Sequence, residues 1–309
     1  MINLPTVTLC CADTRFPDLG FSAILRSTRN INFGNVIFFT SANFIEPKHC
    51  IPTLSIVRVE AFSNIDDYSA FMIKGVQEHI STTHCLVIQW DGFVIHPDNW
   101  DNEFLNYDYI GAPCGERNGY PIGNGGFSLR SKKLLTALSS EDILPHHPED
   151  ECICVTNRKV LEDTWGISFS PIKIAREFSF EFSDYEKREF GFHGFSNFPD
   201  VLDKKELLLF IDAMPEPLFV NEYFIGFCKK IFALQDNELI SRISTRVKIS
   251  LGNLTDKGYT KKQTSVLVEA LLYLTLYKPA FSILQHKGLR SNWKSAYAKI
   301  LIRRFFAQA

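Results

Sequence analysis

What this chain lacks narrows it first. Its 309 residues hold no CxxC pair, no internal repeat and no low-complexity tract, and no apolar stretch approaches the roughly 18–20 residues that span a bilayer. The opening, MINLPTVTLCCADTR, carries no basic segment ahead of an apolar one, so a cytoplasmic location is expected. An excess of one charge is missing too. Lys and Arg number 33 against 35 Asp and Glu, a net charge of -2, which removes the reason to expect nucleic acid as the main partner. The eight cysteines (Cys10, Cys11, Cys50, Cys85, Cys114, Cys152, Cys154 and Cys228) are scattered and several lie inside apolar runs. They read as reduced, buried thiols and not as a disulfide framework. His146, His147, Cys152 and Cys154 crowd into HHPEDECIC, but their spacing matches no standard structural zinc site.

What remains is a globular composition, 45% hydrophobic and 22% charged, in a chain long enough for one large domain or two smaller ones. Its 27 phenylalanines predict an aromatic-rich core. Over the first 125 residues short β-rich runs alternate with helical patterns. Strands are expected at Thr6 to Ala12, Asn35 to Thr40, Leu54 to Glu60 and Cys85 to Trp90, with helices at Pro17 to Arg29 and Asp66 to Ile80. That alternation implies an α/β fold with a mainly parallel sheet sandwiched by helices. After about residue 200 the pattern turns helical, predicting a domain over 1–200 and an all-helical region over 201–309. The last helix sets Lys299, Arg303 and Arg304 among Ile300, Leu301, Ile302, Phe305 and Phe306. Two readings stay open there: a face docked on the same chain, or peripheral contact with the inner face of a membrane.

The most telling stretch is HCLVIQWDGFVIHPDNW, residues 84–100. An apolar run fit for a buried strand ends in Gln89, Trp90, Asp91 and Gly92. Asp-Gly is ordinary turn chemistry. A carboxylate at the tip of a core strand is also costly to bury unless something pairs with it. In open α/β sheets ligands bind beyond the carboxyl ends of the strands, where Asp91 falls. PIGNGGFSLRS, residues 121–131, offers glycines that let a backbone approach a ligand, though it has neither a P-loop lysine nor a dinucleotide fingerprint. Glu149 and Asp150 open an expected helix, where an acidic first turn also complements the helix dipole. FGFHGF encloses His193, and Lys74 lies on the helix before the Asp91 strand.

Taken in this order, WDGF, YDYIGAP, GNGGFSLRS, PED and FGFHG resemble a bacterial family of GT-A-fold glycosyltransferases, over roughly residues 5–198. The resemblance implies a Rossmann-type GT-A domain that moves a sugar from a nucleotide-sugar donor, a UDP-sugar being expected, to a hydroxyl acceptor on a glycan or lipid-linked molecule, with inversion, in surface polysaccharide or glycolipid synthesis. It implies Mn²⁺ or Mg²⁺ held by Asp91 and His193. Gln89 stands where the family has the first carboxylate of Asp-x-Asp; with Trp90, Asp91, Asp13 and Lys74 it would contact the donor nucleotide. Thr14 and Arg15 are further candidates beside Asp13. Asn124, Gly125, Gly126 and Phe127 would line the sugar and acceptor side as a glycine loop. Asp150 would be the base, with Glu149 beside it. A carboxylate can take the acceptor proton, and oxygen and imidazole ligands suit a cation that neutralises a diphosphate leaving group; Lys74 would add a charge-assisted hydrogen bond. Gln89 favours a rival reading, an inactive GT-A-like domain that binds nucleotide sugar or glycan as a scaffold. A nucleotide-sugar hydrolase or nucleotidyltransferase would need a further acidic cluster or a phosphate-cradling signature, and neither stands out.

Overall fold

The computed structural model of the protein describes residues 1–48, 51–256, 260–274, 276 and 280. The chain divides into two compact units, Met1–His193 and a second from Gly194 onward. The division thus falls several residues ahead of the expected 200/201 boundary.

The first unit is built on β1 (Ile2–Ala12), whose residues from Val7 to Ala12 are all buried. A strand apolar on both faces has to be covered on both, which places it in the middle of a sheet. It pairs in parallel with β2 (Ile31–Thr40) on one side and β4 (His84–Ile88) on the other, and β3 (Leu54–Arg58) extends the β2 edge. Beyond β4 the direction changes. β6 (Tyr120–Ser131) runs antiparallel to β4, and β5 (Tyr109–Arg117) antiparallel to β6. The sheet order is β3-β2-β1-β4-β6-β5, so three parallel ladders are joined by two antiparallel ones. The fold is α/β with a mixed, mostly parallel sheet flanked by helices.

Two helices frame the carboxyl ends of β1 and β4. The first, α1 (Pro17–Ser27), begins with proline, whose missing N–H costs nothing there. The second, α2 (Ile65–Ala70), starts at Asn64, whose side chain accepts from the Asp67 N–H at 2.9 Å. It continues through a π turn at Phe71–Gly75 and a 3₁₀ turn at Val76–His79. The sequence predicts one regular helix here, and the inward face is the expected one, with Met72, Val76 and Ile80 buried against Ile37, Phe39, Cys85 and Val87 of the sheet. After β6, α3 (Lys132–Ser139) is capped by Ser131, which accepts from the Leu134 N–H at 2.9 Å. A short turn α4 (Glu149–Glu151) runs into a second π turn, Cys152–Thr156, and then α5 (Arg158–Trp165). The helix α6 (Ile172–Phe178) leads into a two-stranded parallel ladder, β7 (Ser179–Phe180) with β8 (Gly191–Phe192). Phe104, Phe127, Phe178 and Phe190 pack ring to ring beside it, accounting for part of the phenylalanine excess.

The second unit is helical: α7 (Phe198–Val201), α8 (Lys204–Ala213), α9 (Glu222–Ala233), α10 (Asn237–Asp256) and α11 (Lys261–Tyr273). Asp203 and Glu206 form a reciprocal capping box at the start of α8, as Thr260 and Gln263 do at α11. Its core is again phenylalanine-rich, with Phe195, Phe210, Phe224 and Phe227 buried in mutual contact. Among the described residues no helix is long and apolar enough to cross a membrane. The basic segment at Lys299, Arg303 and Arg304 lies outside the described residues.

Candidate functional site

The strand β4 ends at Ile88, and the next four residues close a tight turn: the Gly92 N–H donates to the Gln89 carbonyl at 3.1 Å. The Asp-Gly pair is therefore turn chemistry, as its composition suggests. Its carboxylate nevertheless faces inward. Asp91 is buried, and its Oδ1 lies 3.4 Å from His193 Nε2. Gln89, one side-chain period back, accepts at Oε1 from the same imidazole nitrogen at 3.0 Å and donates from Nε2 to the Tyr68 hydroxyl at 2.7 Å. On its far side, His193 Nδ1 meets Glu181 Oε1 at 2.9 Å. Burial disfavours charge on His193, yet Asp91 and Glu181 together outweigh it and hold the imidazole pKa well above its usual value. Four distant stretches (α2, the β4 turn, the segment after β7 and the end of β8) thus meet at one histidine.

Asp13 joins from the end of β1. Its Oδ1 accepts from the Arg15 N–H at 2.8 Å and the Phe16 N–H at 2.6 Å, bending the chain into α1. Burial pushes its pKa up to about 6, against the lowering effect of those two N–H bonds, and the nearby Asp91 charge raises it further. Beside it opens a cleft of about 280 Å³, walled by Phe16, Phe62, Tyr68 and Trp90 and edged by Asp13, Arg15 and Asn64. Trp90 and Phe16 meet edge to face at 5.9 Å. Flat aromatic walls with a few polar groups at the rim suit a planar, polar ligand.

The sequence GNGGFS is not a loop. It lies inside β6, antiparallel to β4, with Phe127 opposite Ile88. Its glycines serve their neighbours. A Cβ on Gly126 would collide with His193 Nε2 and lie 2.9 Å from Gln89 Oε1; one on Gly125 would collide with the Glu149 carboxylate. Asn124 Oδ1 accepts from the Gly126 N–H at 2.7 Å and the Phe127 N–H at 3.2 Å, fixing that stretch of strand. Phe127 is fully buried, packed on Phe178 and Phe190, so its ring belongs to the core.

Glu149 and Asp150 arrive on α4. The buried Glu149 carboxylate accepts from Arg130 Nη2 at 3.3 Å, and Arg130 is itself fully buried. Asp150 is half-buried. Burial comes first and the Glu149 charge second in pushing its pKa up to about 6, with Glu181 adding to it. The acidic groups therefore form one electrostatic chain from Asp13 through Asp91, His193, Glu181 and Asp150 to Glu149. Lys74 is the candidate drawn elsewhere. Lys74 lies six residues past Tyr68, its Nζ donates to the Ser140 carbonyl at 2.6 Å, and no described contact brings it to Asp91.

Tyr68, Arg130 and Glu181 carry none of the expectations drawn from sequence. Arg130 stands in plain view within GGFSLRS, two residues past Ser128 on the same face of a strand, where a charged residue has no solvent to meet. Tyr68 and Glu181 have no comparable signal.

Among the described residues no group of three or more His, Cys, Asp and Glu side chains is arranged to hold a metal ion. The pair Asp91–His193 fits a different kind of site. Mg²⁺ is commonly held by one or two carboxylates together with phosphate oxygens and water, and Asp91 supplies one such carboxylate. The Glu181 contact to Nδ1 leaves Nε2 as the ligating nitrogen, the usual carboxylate support for a metal-binding histidine.

The family described as "Protein of unknown function (DUF5672)" matches residues 53–193. The match takes in Gln89, Asp91, Asn124 to Phe127, Glu149, Asp150, Glu181 and His193, but not Asp13, and it ends where the first unit ends. No curated protein matches the chain.

Proposed function

We propose that this protein is a glycosyltransferase of GT-A type that moves a sugar from a nucleotide-sugar donor to a hydroxyl acceptor. The observation that carries the reading is the meeting of Asp91, Gln89 and His193 at the carboxyl end of β4, beside an aromatic cleft at the carboxyl end of β1. Ligands in open α/β sheets gather at that edge.

In this reading the cleft takes the nucleoside between its aromatic walls, with Asp13 near the ribose. Asp91 and His193 Nε2 would hold Mn²⁺ or Mg²⁺, which when bound neutralises charge on the departing nucleoside diphosphate. Asp150 takes the proton of the attacking hydroxyl; a carboxylate with a pKa near 6 is matched to that work close to neutral pH. A base on the face opposite the leaving group inverts the anomeric centre. A UDP-sugar donor and a glycan or lipid-linked acceptor are the substrate classes the resemblance suggests.

One observation favours a second reading, donor binding without transfer. Gln89 already fills the hydrogen bond that His193 Nε2 would give up to a metal. Two measurements on the same samples, donor binding by calorimetry and product release, separate the two. The protein is incubated with a panel of nucleotide sugars, Mn²⁺ and simple glycoside acceptors, and nucleoside diphosphate release is followed for the native protein and for Asp150→Asn. Acceptor-dependent release that the variant loses supports transfer. Donor binding with no release by either protein supports the scaffold.

A further inference from the structure

A buried arginine ties the glycine strand to the helix that bears Asp150. Arg130 is fully buried on β6, and its guanidinium spans three acceptors. Nε donates to Ser128 Oγ at 3.0 Å, while Nη2 is shared between the Gly125 carbonyl at 3.2 Å and Glu149 Oε1 at 3.3 Å. Ser128 Oγ donates to the same Gly125 carbonyl at 2.9 Å. Gly125 leaves the space that the Glu149 carboxylate fills, since a Cβ there would overlap it. Glu149 is thus clamped between a glycine and a guanidinium, and Asp150 is the next residue.

Burying both members of an ion pair is expensive, and replacing such a pair by apolar groups is often neutral or stabilising. Stability alone is a weak reason for Arg130 and Glu149 to sit here. Their placement makes sense if the geometry and charge they fix serve a neighbour. The groups around Asp150 are Glu149 and Cys154 on its own segment, Arg130 from β6, Tyr109 and Cys114 from β5, and Glu181 after β7. Of these, Glu149 exerts the strongest charge effect and Arg130 opposes it more weakly.

We propose that Arg130 is a positioning residue for Asp150: gripping Glu149 and the Gly125 carbonyl together, it fixes the start of α4 and, with Glu149, sets the charge that Asp150 faces. The proposal rests on the reading of Asp150 as the base, and deepens it.

The test uses Glu149→Gln, which keeps the size of the side chain and an oxygen for Arg130, and Arg130→Lys, which keeps the charge but loses the fork. In E149Q the acid limb of the kcat/KM–pH profile moves down by about one unit, the order expected when a like charge in contact is removed. The carboxyl ¹³C titration of Asp150, assigned by Asp150→Asn, moves down with it. In R130K, kcat falls about tenfold while donor Kd is unchanged, as expected for losing a two-acceptor grip that lysine cannot reproduce. An Asp150 titration that stays put in E149Q overturns the proposal. So does an R130K variant whose donor affinity falls as much as its kcat, because a purely structural role does that. The ¹³C titration needs no substrate. A midpoint that moves in a protein showing no transfer supports the coupling and overturns the assignment of Asp150 as base.

Discussion

Gly126 and His193 occupy one another's space: the imidazole sits where any side chain at position 126 would have to be. Sixty-seven positions separate them, and the antiparallel pairing of β6 with β4 brings the glycine against the histidine and Gln89. The prediction is direct. Gly126→Ala displaces His193 from Asp91, with an expected loss of about 100-fold in transfer, the usual scale for a misplacement of about 1 Å. Overpacking costs about 1–3 kcal/mol of stability. Steady-state kinetics with a urea unfolding curve on the same sample separates the two effects; full activity would mean that His193 has no part in the site.

Asp150→Asn keeps the shape of the side chain and its hydrogen bond to the Glu151 N–H while removing the base. Turnover should fall by about 10²- to 10⁴-fold, the range for a positioned acid or base. Donor affinity, read by calorimetry, should stay within about twofold because Asp150 lies outside the aromatic cleft. Retained turnover would remove Asp150 from the mechanism.

The Asp13 carboxyl gives a pH signature that needs no substrate. Its pKa is about 6 in the folded protein, against an ordinary value of 3.8. The folded state therefore holds a proton that the unfolded chain has released between those values, and stability falls as pH rises from about 4 through 6. A shift of this size corresponds to about 3 kcal/mol. Asp13→Asn keeps an acceptor for the Arg15 and Phe16 N–H groups and should flatten that part of the curve. Unfolding free energies in urea at pH 4, 5, 6 and 7 test it; parallel curves for the two proteins would show that Asp13 does not carry the effect.

Much of this was legible in the sequence, and the parts that were not share a cause. The strands β1 and β4 announce themselves because apolar runs buried on both faces need no partner to be recognised. Asp91 stands out because a carboxylate ends one of them. The GNGG segment reads as a loop because glycine is ordinarily a turn signal; here Gly125 and Gly126 are small on account of Glu149 and His193, and nothing local reveals that. Arg130 and Glu181 look like solvent-facing charges in SLRS and SFEFS until the chain folds, when both are buried against residues 12 to 19 positions away. Lys74 lies on the expected helix, and its ammonium donates to the Ser140 carbonyl, a partner 66 positions away that no local pattern reveals. The expected single helix over Asp66 to Ile80 hides a π turn, where Gly75 leaves room for the ring of Phe71. A second π turn, Cys152–Thr156, follows Asp150, so the segments that carry Tyr68 and Asp150 each run into one, and π turns are frequent at functional sites.

Asp91→Ala and His193→Ala should each weaken donor binding in Mn²⁺ by at least about tenfold and leave the binding measured in EDTA nearly unchanged, because the two side chains act through one cation. Titration calorimetry with a nucleoside diphosphate under both conditions reads this. Equal affinities for native and variant proteins in Mn²⁺ would remove the pair as a metal site.

The glycosyltransferase reading is tested most directly by the melting temperature of the native protein against nucleoside diphosphates and nucleotide sugars, each with Mn²⁺, Mg²⁺ or EDTA. A ligand at a hundred times its Kd stabilises the fold by about 2.7 kcal/mol. A rise is expected with one nucleotide family, dependent on the cation and lost in Asp91→Ala. A folded protein whose melting temperature no nucleotide shifts, or shifts equally in EDTA and in Asp91→Ala, would contradict that reading.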